Sequence, residues 1–185
     1  LEMTGAYAGI LNGGSAVTPY GLVELKLLGS DAPLMSATGG IGERVIQQDT
    51  AEKLTWMMHQ VVTSGTGARA KLPDRDSAGK TGTSQAAKDA LFIGFTADYV
   101  AGVWMGYDNN TPLSGVTGSG LPAEIWHAAM VHAHEGLPAR VLPMRAPDPN
   151  EGQVLGTASQ QSGTGRTQTA IQILLEGIFG KSDGA

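Results

Sequence analysis

The sequence predicts an α/β domain of the α+β type, an antiparallel sheet with helices packed on it. Three observations predict it. Ala90 to Thr96 and Tyr99 to Tyr107 read as two strands, and the link Ala97-Asp98 is short enough to make them an antiparallel hairpin. Apolar residues at helical spacing precede and follow that hairpin. Within the second strand, Val100, Gly102, Trp104 and Gly106 alternate with Val103, Met105 and Tyr107, so glycine thins one face where a packed helix is expected to approach.

Taken in chain order, Leu1 to Leu11 sets Met3, Ala6, Tyr7, Ile10 and Leu11 at helical spacing, and Asn12-Gly13-Gly14 supplies residues that end helices in a left-handed cap. No cap residue precedes this helix, so the chain is expected to be a fragment. Val23, Leu25 and Leu27 alternate with Glu24 and Lys26 in the period of a half-buried strand. Asp49-Thr-Ala-Glu52 reads as a capping box ahead of a helix with Leu54, Met57, Met58, Val61 and Val62 on one face, ending at Ser64 to Gly67. Thr111 to Pro122 is a turn-rich loop. Ala123 to His134 is then helical, with Ile125, Trp126, Ala129, Met130 and Ala133 as its stripe. Past Gly136 the composition shifts to Pro, Gly, Ser, Gln and Thr, which sets a domain over 1–137 and a tail over 138–185. Gly152 to Gly165 is expected to be disordered, and a last short helix is predicted over Ala170 to Phe179.

Composition excludes several function classes. A net charge of −5 with 12 scattered Lys and Arg residues gives no nucleic-acid surface. There is no cysteine, so thiolate chemistry, disulfides and cysteine-bound zinc are excluded. No apolar run approaches the roughly 20 residues that span a bilayer, so no membrane segment is expected in this chain. No cofactor is indicated.

Chemistry concentrates in "DSAGKTGTSQ", Asp76 to Gln85, where two signatures overlap. A phosphate-binding loop requires glycine five residues before Gly79, because backbone amides wrap the phosphates; that position is Asp74, and Asp76 adds a second negative charge. Lys80-Thr81-Gly82-Thr83 instead matches the Lys-Thr-Gly element that accompanies Ser-x-x-Lys and Ser-x-Asn in penicillin-binding proteins and class A β-lactamases. On a strand lining a cleft, lysine offers positive charge to a carboxylate, hydroxyls donate to it, and glycine lets a substrate backbone lie close. The next N–H can face a developing oxyanion.

The surroundings extend the match. "MTGAYAGILNGG", "VVTSGTGARA", "AGKTGTSQAAKDALFIGFTADYVAGVWMGYDNN" and "TGSGLPAEIW" together resemble the transpeptidase domain of class A, bifunctional penicillin-binding proteins, over about Leu1 to Leu137. The resemblance implies the C-terminal half of the fold shared by penicillin-binding transpeptidases and serine β-lactamases. It also implies a serine acyltransferase that crosslinks peptidoglycan stem peptides and is acylated by β-lactams, on the periplasmic side of the bacterial inner membrane with its anchor outside this chain. By the same resemblance, Lys80 and Thr81 engage the substrate's terminal carboxylate. Thr83 adds its hydroxyl there and its amide to the oxyanion hole, and Gly82 keeps the path clear.

Two elements of that pattern are absent. No Ser-x-Asn occurs, and the only Ser-x-x-Lys is Ser77 to Lys80, whose lysine already belongs to Lys-Thr-Gly. Residues three apart point to opposite faces of a strand, so Ser77 is expected to be a polar lead-in rather than a nucleophile. The missing N-terminal half of the domain is therefore the expected partner for both nucleophile and burial. A transpeptidase-like module that binds cell-wall peptide or a partner protein without chemistry is the alternative. A β-lactamase is disfavoured, because nothing here resembles that enzyme's deacylating glutamate segment.

The remaining polar residues read more plainly. His132, His134 and Glu135 are expected at a solvated helix end rather than on a metal, and His59 and His127 on the surface of helices. Trp56, Met57 and Met58 read as core, Asp89 as a strand cap, and Asp108-Asn109-Asn110 as a turn.

Overall fold

Ala78–Thr83, Asp89–Phe95 and Val100–Gly106, here β5, β6 and β7, form a three-stranded antiparallel sheet in that order. The computed structural model describes residues 1–37 and 39–149, and Leu1–Pro147 forms one compact unit. The tail predictions over 152–165 and 170–179 lie outside the described residues. Ahead of the sheet come α1 (Glu2–Leu11), β1 (Ser15–Val17), β2 (Glu24–Lys26), β3 (Pro33–Ser36), β4 (Ile41–Arg44) and α2 (Gln48–Thr63); α3 (Leu121–Ala133) follows it. β1 pairs with β4 and β2 with β3, each as a separate two-stranded ribbon.

Strand alternation sends Ala90, Phe92 and Gly94 to one face of the sheet and Leu91, Ile93 and Phe95 to the other. On the first face Phe92 meets Trp126 of α3 edge-on, ring centroids 5.3 Å apart, and the Trp126 indole N–H donates to Ala101 O at 3.1 Å. Val62, Ala70, Leu72, Ala123 and Met130 complete this cluster. On the second face Phe95 joins Ala78, Met58 and Leu142, flanked by Tyr7, Ile10 and Leu11 of α1. α2 therefore contributes to both clusters, Val62 to one and Met58 to the other. A glycine in β7 marks the approach of α1: a Cβ on Gly102 would sit 3.0 Å from the Thr4 hydroxyl. Gly106 has a different cause, the Trp104 indole folded over it at 2.4 Å.

Several sequence expectations shift once packing is visible. The buried face of α1 is Gly5 and Gly9, against Pro19 and Ser15, while Met3 is 54% exposed and Ala6 is exposed. Close approach of the 15–19 segment selects residues without side chains, which a search for apolar spacing passes over. The helix does end as expected, with Gly13 and Gly14 at positive φ and Gly14 N–H reaching Gly9 O at 2.8 Å. β2 forms, but all of it is exposed, because its ribbon with β3 carries no packed layer among the described residues. The capping box does not form. The cap of α2 is Gln47, and Asp49, already inside the first turn, is held by Lys53 at 2.6 Å and by Arg145. The buried stripes are also rotated: α2 buries Ala51, Thr55, Met58 and Val62 and leaves Met57 exposed, and α3 buries Ala123, Trp126 and Met130 and leaves Ile125 exposed.

Past α3, the chain stays packed to Pro147, because Leu142 is buried beside Phe95 and the Arg145 amide donates to Glu52 O. The boundary read from composition at 137 thus falls ten residues inside the compact unit, which Leu142 and Met144 of the short apolar run 141–144 extend by packing beside Phe95. His134 is buried rather than solvated. Its Nδ1–H donates to Met130 O at 2.6 Å and its Nε2 meets the Thr96 hydroxyl at 2.8 Å, so both ring nitrogens are occupied. Thr96 in turn accepts from the Asp98 and Tyr99 amides, which fixes the β6–β7 turn onto α3. Beside it the nearly buried Arg75 side chain bonds Asp74 at 2.8 Å and Leu137 O at 3.0 Å.

Two outcomes are expected. Thr55 has a fully buried hydroxyl without a hydrogen-bond partner among the described residues, so Thr55→Val should raise stability by about 1 kcal/mol in urea unfolding. The Asp74 carboxyl is held below its ordinary 3.8 by its hydrogen bond from Arg75. A lowered folded-state value means stability in place above about pH 3.8 and lost as pH falls through the lowered value. Asp74→Asn should accordingly flatten the acid limb of a melting-temperature profile below that pH.

Candidate functional site

Among the described residues the sheet order leaves β5 with one partner strand, so Lys80-Thr81-Gly82-Thr83 lies on an open edge there. Its register is set at both ends. At the start, a Cβ on Gly79 would be 2.5 Å from the Phe92 ring and 2.9 Å from Ile93 O, so only glycine lets β5 close onto β6 there. At the end, Ser84 N–H donates to Asp89 O at 2.9 Å. Antiparallel ladders alternate paired and unpaired positions, so Ser84, Gly82 and Lys80 turn their backbone groups to β6, while Thr83 and Thr81 turn theirs outward. Thr83 N–H thus points off the free edge.

Side chains along the edge are fixed in different ways. Lys80 is exposed, and its Nζ donates to Thr81 O at 2.9 Å, with no carboxylate partner among the described residues. The Thr81 and Thr66 hydroxyls share a hydrogen bond of 2.8 Å. Thr83 Oγ1 accepts from Gly118 N–H at 3.0 Å, which leaves its own O–H proton free to donate elsewhere. Gly118 reaches that position because it has no side chain: a Cβ would lie 2.4 Å from both Gly82 O and Leu91 O. Gly82 is similarly tight against Leu91, at 2.9 Å.

The turn after the strand is braced. Asp89 accepts from the Ser84 hydroxyl at 3.0 Å and from the Trp104 indole N–H at 3.1 Å, as a strand cap. Ala86 and Ala87 both adopt positive φ, 59° and 51°, a region that costs a side-chain-bearing residue about 1–2 kcal/mol. Ser77 and Lys80 do not come together as a nucleophile pair. Ser77 is 2% exposed, Lys80 faces solvent, and the Ser77 carbonyl accepts from His59 Nδ1–H at 2.9 Å. His59 therefore supports the lead-in to β5. His127 is partly buried, its Nδ1 without a partner among the described residues. Asn110 at positive φ and the Thr111 N–H to Asn109 bond make 108–110 a turn, as expected. Thr66 and Gly118 were not singled out from the sequence. Their signal is that they sit inside "TSGTG" and "TGSG", short glycine-rich stretches with nothing catalytic about them until the fold brings both onto β5.

A family model described as the penicillin binding protein transpeptidase domain matches residues 1–126, a stretch that takes in β5, its partners and both loops against it. This chain belongs to the penicillin-binding transpeptidase family. Among curated relatives of the transpeptidase chain, penicillin-binding protein 1A of Streptococcus pneumoniae is 34% identical over 151 residues, which is 73% of this chain and 20% of that protein. The corresponding protein of Rickettsia prowazekii is 35% identical over 170 residues, 80% of this chain and 21% of that one. The chain thus spans about a fifth of the curated relatives it matches. The structure of penicillin-binding protein 1A from Haemophilus influenzae aligns at a TM-score of 0.63 and 26% identity, over 76% of this chain and 27% of that one. The D,D-transpeptidase domain from Eggerthella lenta has the same fold at a TM-score of 0.60, over 74% of this chain and 32% of that one. The mixed helix and antiparallel sheet architecture read from the sequence is that of these transpeptidase domains.

Gly118→Ala should cost about 1–3 kcal/mol in urea unfolding, the usual range for overpacking, and should shift the Gly82 and Thr83 amide resonances. Gly21→Ala, with no atom within 4 Å of the added carbon, should do neither.

Proposed function

We propose that this chain carries the substrate-binding and oxyanion strand of a peptidoglycan DD-transpeptidase, an enzyme that crosslinks stem peptides by serine acyl transfer and is a target of β-lactams. The observation that carries the reading is Thr83. Its N–H faces off the open edge of β5, and its hydroxyl is oriented by Gly118 so that the proton remains available. An extended peptide lying along this edge finds Lys80 as a cation and Thr81 and Thr83 as hydroxyl donors for its terminal carboxylate. The carbonyl one residue earlier then meets Thr83 N–H, positioned where negative charge develops during acyl transfer. Gly82 adds no side chain to obstruct the peptide. Lys80 acts as an electrostatic anchor, because a charge-assisted bond to a carboxylate is about twice as strong as a neutral one.

The nucleophile belongs to the part of the domain that precedes Leu1 in the family pattern, since Ser77 is buried and no other Ser-x-x-Lys is present. Among the described residues no helix is long and apolar enough to cross a membrane, so an anchor on the periplasmic face of the inner membrane would also lie outside them.

Titration of the chain with D-alanyl-D-alanine should shift the Thr81 and Thr83 amides in a saturable way. Lys80→Ala should weaken that binding by about tenfold or more, the size of a lost charged hydrogen bond. Absence of saturable shifts at Thr83 would remove the substrate-strand assignment. Incubation of the chain with benzylpenicillin should leave its intact mass unchanged, because activating a serine requires a positioned base; a mass increase of one penicillin would show a nucleophile within these residues.

A further inference from the structure

The ribbon of β2 and β3 has two outer edges, and only one of them is blunted. On β3, Pro33 has no amide to offer, and the register shifts so that Leu34 is an extra residue, a bulge that twists that edge out of line. β2 has neither proline nor bulge. Ala37 N–H donates to Val23 O at 2.9 Å, so Val23 and, two residues on, Leu25 turn their backbone groups toward β3, while Glu24 and Lys26 turn theirs to the open side. Both are exposed, and no further strand pairs with them among the described residues, which makes this edge a template for another chain.

The side chains of Val23 to Leu27 decide which strand fits. "VELKL" sets apolar residues at its ends and centre and opposite charges at equal distances from Leu25. A second copy laid antiparallel, with Leu25 opposite Leu25, brings Glu24 opposite Lys26 and Val23 opposite Leu27, each twice. The backbone agrees with that register. Glu24 and Lys26, whose groups face out, become the hydrogen-bonded pairs, and Leu25 takes the unbonded pair where side chains approach closest. Moving the register by two residues in either direction puts Lys26 against Lys26 or Glu24 against Glu24, and moving it by one sets apolar side chains against charged ones. Within one strand Glu24 and Lys26 pair at 3.1 Å, at exposed positions where an ion pair is worth little, so it exchanges readily for cross-strand pairs.

We propose that β2 pairs with β2 of a second copy of this chain, antiparallel and centred on Leu25, joining two ribbons into a four-stranded sheet. One face of that sheet carries Val23, Leu25, Leu27 and Met35 of both copies, apolar residues that lie exposed on the single ribbon. The interface is small, so the association is weak and depends on concentration. It is independent of the chemistry at β5.

Sedimentation equilibrium of the chain should show monomer and dimer exchanging at about 0.1–1 mM. Glu24→Lys and Lys26→Glu each place like charges opposite one another and should weaken self-association by about tenfold or more. An equal mixture of the two variants should recover it to within about twofold, because their edges are complementary in this register alone. The chain has no cysteine, so Leu25→Cys reports the axis directly. Two copies of position 25 lie within the roughly 4.4–6.8 Å that a disulfide spans, whereas two copies of position 23 lie about 13 Å apart. Mild oxidation should therefore crosslink Leu25→Cys at least about tenfold faster than Val23→Cys. Amide resonances of β5 and β6 should stay in place in every variant, which reports an intact domain. A monomer at about 1 mM, a dimer that survives in both charge variants, a mixture no better than its components, or equal crosslinking at the two positions overturns the inference. Cosedimentation with phosphatidylcholine vesicles in place of dimerisation assigns the apolar face to a lipid surface and likewise overturns it.

Discussion

The sheet depends on the ring of Phe92 and on the room left for it. The ring lies against Gly79 of β5, Gly94 of its own strand and Gly67 of the loop after α2, each of which would place a Cβ within about van der Waals overlap of it, at 2.5, 2.8 and 3.1 Å. Trp126 closes the remaining side edge-on. One aromatic side chain thereby joins a helix, a loop and two strands. A larger residue at Gly79 pushes β5 away from β6 and takes the Lys-Thr-Gly-Thr edge with it, while one at Gly94 also meets Trp126 and one at Gly67 also meets Val61. Fold and site share this contact, so the residues around the chemistry cannot vary independently of the core.

The positioning of the edge is built in layers. The ladder to β6 decides which backbone groups face out, Thr66 and Gly118 decide which way the hydroxyls face, and Asp89 braces the turn beyond. None of these supporting residues carries charge into the edge itself. Lys80 is left as its cation, held by the Thr81 carbonyl rather than by a carboxylate that would compete with a substrate. In the proposed function, a strand edge arranged this way would recognise a main chain by its hydrogen-bonding groups, with the side chains selecting what ends it.

Much of this was legible in the sequence because period and turn chemistry are local properties. Val100 to Tyr107 alternates because β7 is a strand, Asn109 and Asn110 turn because amide side chains favour turns, and Lys80 to Thr83 form a strand because the hairpin after them needs a partner. Misreadings came where a neighbour distant in sequence decided the outcome. Asp49 fits a cap but is claimed by Lys53 and Arg145; the latter lies nearly a hundred positions on. Ile125 and Met57 fit helical stripes, yet it is Trp126 and Met130 of α3 and Met58 and Val62 of α2 that meet the core, which leaves these two facing solvent. The burial of Gly5 and Gly9 was hidden because absence of a side chain is silent in any count of apolar residues. His134 looked like a surface residue until Thr96 and Met130 were brought to its two nitrogens.

The two consecutive left-handed alanines after the strand bear on how this domain responds to selection. Glycine at Ala86 or Ala87 would relieve a backbone cost, so a screen for thermal tolerance would favour it. The same change would loosen the peg at Ser84 that sets the outward direction of Thr83. Robustness and precision are thus opposed at a single tight corner, and a lineage that keeps alanine there is retaining fragility as the condition of an accurately aimed strand.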